Sequence, residues 1–196
     1  MEKNFILFGK PGAGKGTRLG EFLEGREDQF EILSVGNLLR KALKEQTEIG
    51  KKAEFYMNSG LLVPDEVINE IVISGIKNAK KTVIIDGFPR TVGQAAAMLN
   101  AGIIPHKVIE LFVEDQVVLD RAKARIVCGN CGEPYTTNNF RPPKVEGICD
   151  KCGGTLVRRK DDAEEVVQER LKVYQSQTYP VIHFLSSNGI RTVTIN

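Results

Sequence analysis

Nine residues, Gly9-Lys10-Pro11-Gly12-Ala13-Gly14-Lys15-Gly16-Thr17, constrain this chain more than any other stretch. They lie between Phe5-Ile6-Leu7-Phe8, an apolar run short enough for a buried strand, and a segment where Leu19, Phe22 and Leu23 recur at helical spacing. Backbone N–H groups that converge on an anion need a chain free of obstructing Cβ atoms, which the glycines supply. The helix behind the loop adds the positive end of its dipole. Gly12, Ala13, Gly14, Lys15, Gly16 and Thr17 are therefore candidates to hold nucleotide phosphates. Lys15 is placed to follow the terminal phosphates as a mobile charge, and Thr17 to offer a hydroxyl to the shell of a Mg²⁺ ion. The strict P-loop pattern has the hydroxyl directly after the lysine; here Gly16 intervenes.

At 196 residues the chain has the length for one substantial core with a small insertion. A net charge of +2 with 27% charged residues argues against a general polyanion binder or a membrane-surface protein, so basic character has to be local. Met1-Glu2-Lys3 leads straight into the first strand, and no apolar run has the length of a signal segment or a membrane span. The cytosol is the expected compartment. β-type runs recur at Phe5–Phe8, Glu31–Ser34, Thr82–Ile85, Lys107–Phe112 and Arg191–Ile195, with helical segments between them. That alternation predicts an α/β fold with a parallel sheet and right-handed crossovers. Between Asp65 and Ile76, Val67, Ile68, Ile71, Val72 and Ile76 share a helix face that Asp65 could cap. A last helix is expected from Asp162, with Glu165 completing a capping-box-like start, Val167, Leu171 and Tyr174 as its stripe, and a kink or restart at Pro180. Ligands of parallel sheets sit at the carboxyl ends of strands, where Gly9, Asp86 and the segment after Ser34 fall.

Asp86-Gly87-Phe88-Pro89-Arg90 places an acid for Mg²⁺ or its waters beside an arginine whose planar fork suits a phosphate. Further arginines, Arg40, Arg121, Arg125, Arg158, Arg159 and Arg170, would stabilise the charge that phosphoryl transfer spreads over oxygen atoms. Cys128-x2-Cys131 and Cys149-x2-Cys152, seventeen residues apart, match a four-thiolate zinc site. Four thiolates fill a tetrahedron and leave no position for substrate, so the metal is expected to be structural. Iron could take the same ligands.

Taken as a set, Gly9–Thr17, Asp86–Thr91 with Gln94, Arg121 with Arg125, and Arg158-Arg159-Lys160-Asp161-Asp162 with Arg170 resemble adenylate kinase, in its bacterial form with a zinc lid. The resemblance covers essentially the whole chain. It implies a P-loop three-layer α/β fold with a five-stranded parallel sheet. It also implies a core of residues 1–34, 67–126 and 160–196, a helical AMP-binding unit at 35–66 and a zinc-binding lid at 127–159. The reaction it implies is MgATP plus AMP giving two ADP. The implied catalytic set is Lys15, Asp86, Arg90, Arg125, Arg159 and Arg170. ATP would be held by Gly12–Thr17, Arg121, Arg125 and Tyr135. AMP would be held by Val35, Arg40, Leu61, Leu62, Val63, Gly87, Phe88, Pro89, Arg90, Gln94, Arg159 and Arg170, with Gln94 on the adenine edge. The partners are then small nucleotides, with no nucleic acid or membrane, and a monomer is expected. The chain departs from the family in carrying Val35 and Asn37 where threonine and aspartate are usual. It also ends at Asn196, where the family continues into a loop at the ATP adenine and a final helix.

Other readings stand beside this one. Pyrimidine nucleoside monophosphate kinases share the cradle but usually carry asparagines around the Gln94 region and a short lid. A zinc-ribbon nucleic-acid binder with a nucleotide switch would use Lys144, Lys151, Arg158 and Arg159, although its aromatics are chiefly Tyr135 and Phe140. A homologue that binds nucleotide without turnover is a third.

Overall fold

The computed structural model describes residues 4–138 and 140–196; the reading of Met1-Glu2-Lys3 lies outside the described residues. The chain runs through β1 (Phe5–Gly9), α1 (Lys15–Leu23), β2 (Phe30–Ser34), α2 (Val35–Lys44), α3 (Glu48–Asn58), α4 (Asp65–Asn78), β3 (Thr82–Asp86) and α5 (Val92–Asn100). It continues through β4 (Lys107–Leu111), α6 (Asp115–Ala124), β5 (Arg125–Cys128), β6 (Pro134–Thr136), β7 (Leu156–Val157), α7 (Glu164–Val173), α8 (Pro180–Ser187) and β8 (Thr192–Ile195).

The main sheet has the order β2-β3-β1-β4-β8, and its neighbouring strands are parallel. Strands such as β1 and β3 are buried through their centres on both faces, which is why they read as unbroken apolar runs rather than alternating ones. Period two then divides the core. Ile6, Phe8, Val83, Ile85 and Val108 pack on one face with α4, α5 and α8, while Leu7, Ile84 and Leu111 pack on the other with Leu19 of α1. Gly9 lies opposite Leu111, and a Cβ on it would sit 2.5 Å from the Leu111 carbonyl oxygen. Only glycine lets β1 approach β4 so closely before turning into the loop.

Two helix starts differ from the sequence expectation. Asp65 is the first residue of α4, Pro64 occupies the cap position without a side-chain bond, and the Asp65 carboxylate is taken by Thr91 and Gln94. Near Asp162 the chain makes a 3₁₀ turn over Lys160–Asp162, and α7 begins at Glu164 with Ala163 as its cap. The Asp162 carboxylate accepts from Arg125 instead. In both cases a distant donor competes successfully with the local N–H groups that a capping side chain would serve. The expected restart at Pro180 is present: a π turn over Tyr174–Thr178 separates α7 from α8, whose first residue is Pro180.

Two insertions leave the carboxyl edge of the sheet. α2 and α3 form a helical pair after β2, and the antiparallel sheet β6-β5-β7 follows α6. That small sheet starts at Arg125, ahead of the expected boundary at 127.

Candidate active site

The loop between β1 and α1 curls around its own lysine. Lys15 Nζ donates to the carbonyls of Gly9 (2.7 Å) and Lys10 (2.9 Å). Gly14 adopts a left-handed conformation (φ 95°) at the start of α1, which a side chain would strain. Arg121 from α6 closes the loop from behind, donating to the Ala13 carbonyl at 2.8 Å. Lys10 is held away by Asp115 at 2.5 Å. Burial, with the nearby cations Arg90, Arg170 and Arg125, draws the Lys15 ammonium down to about 8 against the pull of Asp86. A phosphate arriving here would relieve that repulsion.

The second half of the site lies after β3. Asp86 ends that strand and accepts from Ser34 Oγ at 3.1 Å. Arg90 folds back so that its Nε donates to the Gly87 carbonyl at 3.0 Å. Phe88 and Pro89 are buried in the core, so they meet the site through their main chain. A pocket opens beside them. Its lining includes Val35, Arg40, Leu61, Leu62, Val63, Gly87, Arg90, Gln94 and Arg170, all expected from the sequence, and adds Gly36, Leu39, Met57, Gly60, Ile68 and Asp161. It is apolar on one side and cationic at the opposite end, as a nucleoside monophosphate requires.

The cations are held by two acids to which the sequence reading gave no role. Arg170 Nη1 donates to Asp161 at 2.8 Å, Arg40 lies 4.0 Å from the same carboxylate, and Arg125 pairs with Asp162 through two nitrogens. Burial lowers Arg40, and brings Arg90 and Arg159 down to about 10, with neighbouring guanidiniums adding to the effect. Burial also opposes the Asp161 anion, but Arg170, Arg40, Arg159 and Arg125 outweigh it and hold that carboxyl below its ordinary value. Arg125 moves the other way: burial opposes its charge, and the bond to Asp162 more than restores it. The Nε of Arg159 is buried without a hydrogen-bond partner. An unsatisfied buried donor among cations fits an anionic ligand. Asp161 and Asp162 follow Arg158-Arg159 with Lys160 alone between them, and that proximity was the available signal; Arg158 itself is exposed.

In the small sheet, the Sγ atoms of Cys128, Cys131, Cys149 and Cys152 lie within 4.8 Å of one another, and all four thiols are free. Cys128–Cys152 and Cys131–Cys149 are 3.4 and 3.6 Å apart, close to the ~3.8 Å edge that four thiolates at ~2.3 Å from zinc would have. Tyr135, expected on ATP, is instead buried in this knot, with its hydroxyl 3.4 Å from Cys149 Sγ and accepting from the Asp150 N–H at 2.8 Å. Burial pushes the Cys149 thiol up, but the bonds from Tyr135 and from the Cys152 and Lys151 backbone outweigh it and bring it to about 6. The donor set fits a soft, structural metal.

A glycine-rich cradle opening α1, an adjacent pocket for a second anion and a mobile-charge lysine between arginines define a P-loop nucleoside monophosphate kinase. The adenylate kinase family profile matches residues 7–190. The chain is 44% identical to an adenylate kinase of Caldicellulosiruptor saccharolyticus over 97% of its length and 90% of that protein. It is 43% identical to one of Clostridioides difficile over 94% and 87%, and 35% identical to one of Thermococcus kodakarensis over 95% and 84%. The chain belongs to the adenylate kinase family.

Proposed function

We propose that this chain catalyses reversible transfer of the γ-phosphoryl group of MgATP to a phosphate oxygen of AMP, giving two ADP. The observation that carries the reading is the meeting of two anion sites on one sheet edge. Lys15 lies in the cradle, Arg40, Arg90 and Arg170 line the neighbouring pocket, and Arg90 and Arg170 lie within the electrostatic field of Lys15. Gly12–Thr17 with Arg121 and Arg125 would hold ATP; Arg40, Arg90 and Arg170 would hold the AMP phosphate, with the base between Val35, Leu61–Val63 and Gln94. Asp86 and Thr17 would serve the Mg²⁺ shell, and the ion would neutralise phosphate charge. No side chain has to act as a general base, because positioning and charge stabilisation supply most of the rate in such transfers. Closure of the lid would bring Arg159 to the phosphates and exclude water as a competing acceptor.

The reading divides the chain into a core of 1–34, 67–126 and 160–196, an AMP-binding unit at 35–66 and a lid at 127–159 whose four cysteines hold zinc. Among the described residues no helix is long and apolar enough to cross a membrane. The reading takes the protein as a cytosolic monomer that works on free nucleotides.

The test is to incubate the purified protein with MgATP and AMP, CMP, UMP or GMP in turn and follow diphosphate formation. ADP production with AMP alone is expected. Preferential turnover of CMP or UMP would transfer the assignment to the pyrimidine kinases, and no turnover with any acceptor would remove the enzyme reading.

A further inference from the structure

We propose that Asp65 is a positioning residue for the acceptor base: its carboxylate fixes which way the Gln94 amide faces, and thereby which purine edge the pocket takes. The inference rests on reading the pocket beside Arg90 as the AMP site.

Gln94 lines that pocket and is only 2% exposed. Its Nε2 donates to Asp65 Oδ1 at 2.8 Å, and its Oε1 accepts from the Arg90 backbone N–H at 2.7 Å. A carboxylate can only accept and a backbone N–H can only donate, so these partners determine the amide's orientation. Turning it over would set oxygen against carboxylate and N–H against N–H. Asp65 is itself pinned, since its Oδ2 accepts from Thr91 Oγ1 at 2.7 Å, and that hydroxyl accepts from the Gln94 N–H at 3.0 Å.

What the locked amide has left is one lone pair on Oε1 and one N–H on Nε2. Adenine offers the complement, an exocyclic amine that donates and an N1 that accepts. Hypoxanthine presents the same two positions with the roles reversed, an accepting O6 and a donating N1–H. The remaining polar side chains around the pocket are Arg40, Arg90, Arg170 and Asp161, and the other walls, Val35 among them, offer no side-chain hydrogen bond. Among the side chains, discrimination between the two edges therefore falls on Gln94, and its fidelity on Asp65.

Asp65→Asn retains the shape but can present an N–H to Gln94, so it removes the carboxylate's half of the constraint and leaves only the Arg90 N–H opposing the turned amide. The measurement is kcat/KM with saturating MgATP and either AMP or IMP as acceptor. We expect the AMP-to-IMP ratio to fall about tenfold or more, mainly through a higher KM for AMP. Thr91→Val leaves the carboxylate but frees its Oδ2; it should shift the ratio in the same direction by a smaller factor, and Thr91→Ser should restore it. If the Asp65→Asn protein does not fold, the Thr91 pair decides. A lower kcat with the ratio unchanged in these variants would make the network merely structural and overturn the assignment. If the unaltered protein made no ADP from AMP, the reading of the site would fail before Asp65 came into question.

Discussion

In the main sheet Ile6, Ile85 and Val108 have no exposed surface, and helices cover the sheet on both faces. In the small sheet, Cys128, Tyr135 and Cys149 form one buried cluster with Ile126 and Leu156 packed against it, and Val127 is the other buried apolar residue of its strands among the described residues. The first region is ordered by apolar burial, at roughly 25 cal/mol for each Å² removed from water. The second has little apolar surface to offset the entropy of ordering its loops, and four thiols within reach of one ion would take over that task once a metal is bound. A unit ordered internally by a metal does not depend on its contacts with the core. Among the described residues, Lys44 of α2 donates to the carbonyls of Gly129 and Asn130 at 3.3 and 3.4 Å, and Arg125 pairs with Asp162 where the small sheet begins. On the proposed reading, such a lid would swing without unfolding.

If the two regions divide chemistry from scaffolding in this way, Lys15→Ala should separate them most sharply. Phosphoryl transfer should fall about a thousandfold, the scale on which a lost electrostatic contact to the transferring group acts. Bound metal per chain should stay near that of the unaltered protein. Loss of metal together with activity would mean that the cradle and lid are one cooperative unit. Stripping the metal with a chelator tests the other side. Activity should fall by about a hundredfold as Arg159 is no longer delivered, and limited proteolysis should cut between Cys128 and Arg159 while the remaining chain stays resistant. A lid equally resistant before and after chelation would refute metal-dependent ordering.

The difference between the regions also governs what could be read in advance. All five strands of the main sheet were legible to within a residue or so: β1 and β3, covered on both faces, are unbroken apolar runs, and the partly covered edge strands β2 and β8 still carry β-branched or apolar residues between helical segments. The stripe Ile68, Val72 and Ile76 located α4 for the same reason. The Cys-x2-Cys spacing exposed the cluster of four thiols, since backbone turns of that length bring thiols together whatever surrounds them. Partners of charged and polar side chains were not legible. Asp65 and Asp162 both stand where a capping residue would, and nothing in local sequence announces that Gln94 and Arg125, far along the chain, out-compete the helix N–H groups. The surroundings of Tyr135 were not legible for a related reason: one aromatic among polar neighbours carries no periodicity to say that its ring fills the space beside Cys149.

A smaller effect follows from the titration of Lys15. Its value of about 8 in the folded protein lies below the 10.5 of an unfolded chain, so between those values the unfolded state binds more protons. From this group alone, stability is penalised by the buried charge below pH 8 and recovers as pH rises from 8 toward 10.5. Phosphate binding runs the opposite way, because it requires the charged form. Affinity for MgATP should therefore weaken above pH 8 by at most about tenfold per pH unit, with proton uptake on binding. Calorimetry at pH 9 in two buffers of different ionisation enthalpy measures that uptake. None at pH 9, with a flat affinity from pH 7.5 to 9.5, would show that Lys15 is charged throughout.

Tyr135→Phe should produce the smallest change and draws the boundary between the regions most finely. The hydroxyl sits between Cys149 Sγ and the Asp150 N–H, donating to one and accepting from the other, so it steadies the thiolate and satisfies a backbone donor. Removing it takes a supporting bond from a ligand while leaving all four sulfurs in place. Zinc affinity should fall by about tenfold, the lower end of what such supporting contacts contribute, as read by competition with a chromogenic chelator. The KM for ATP should stay unchanged when zinc is saturating. That second readout separates the position seen here from the role implied by family resemblance. A tyrosine that touched ATP would raise the KM and leave zinc affinity alone, whereas one that braces the metal knot does the reverse, acting on the nucleotide only through the fraction of lids that remain folded.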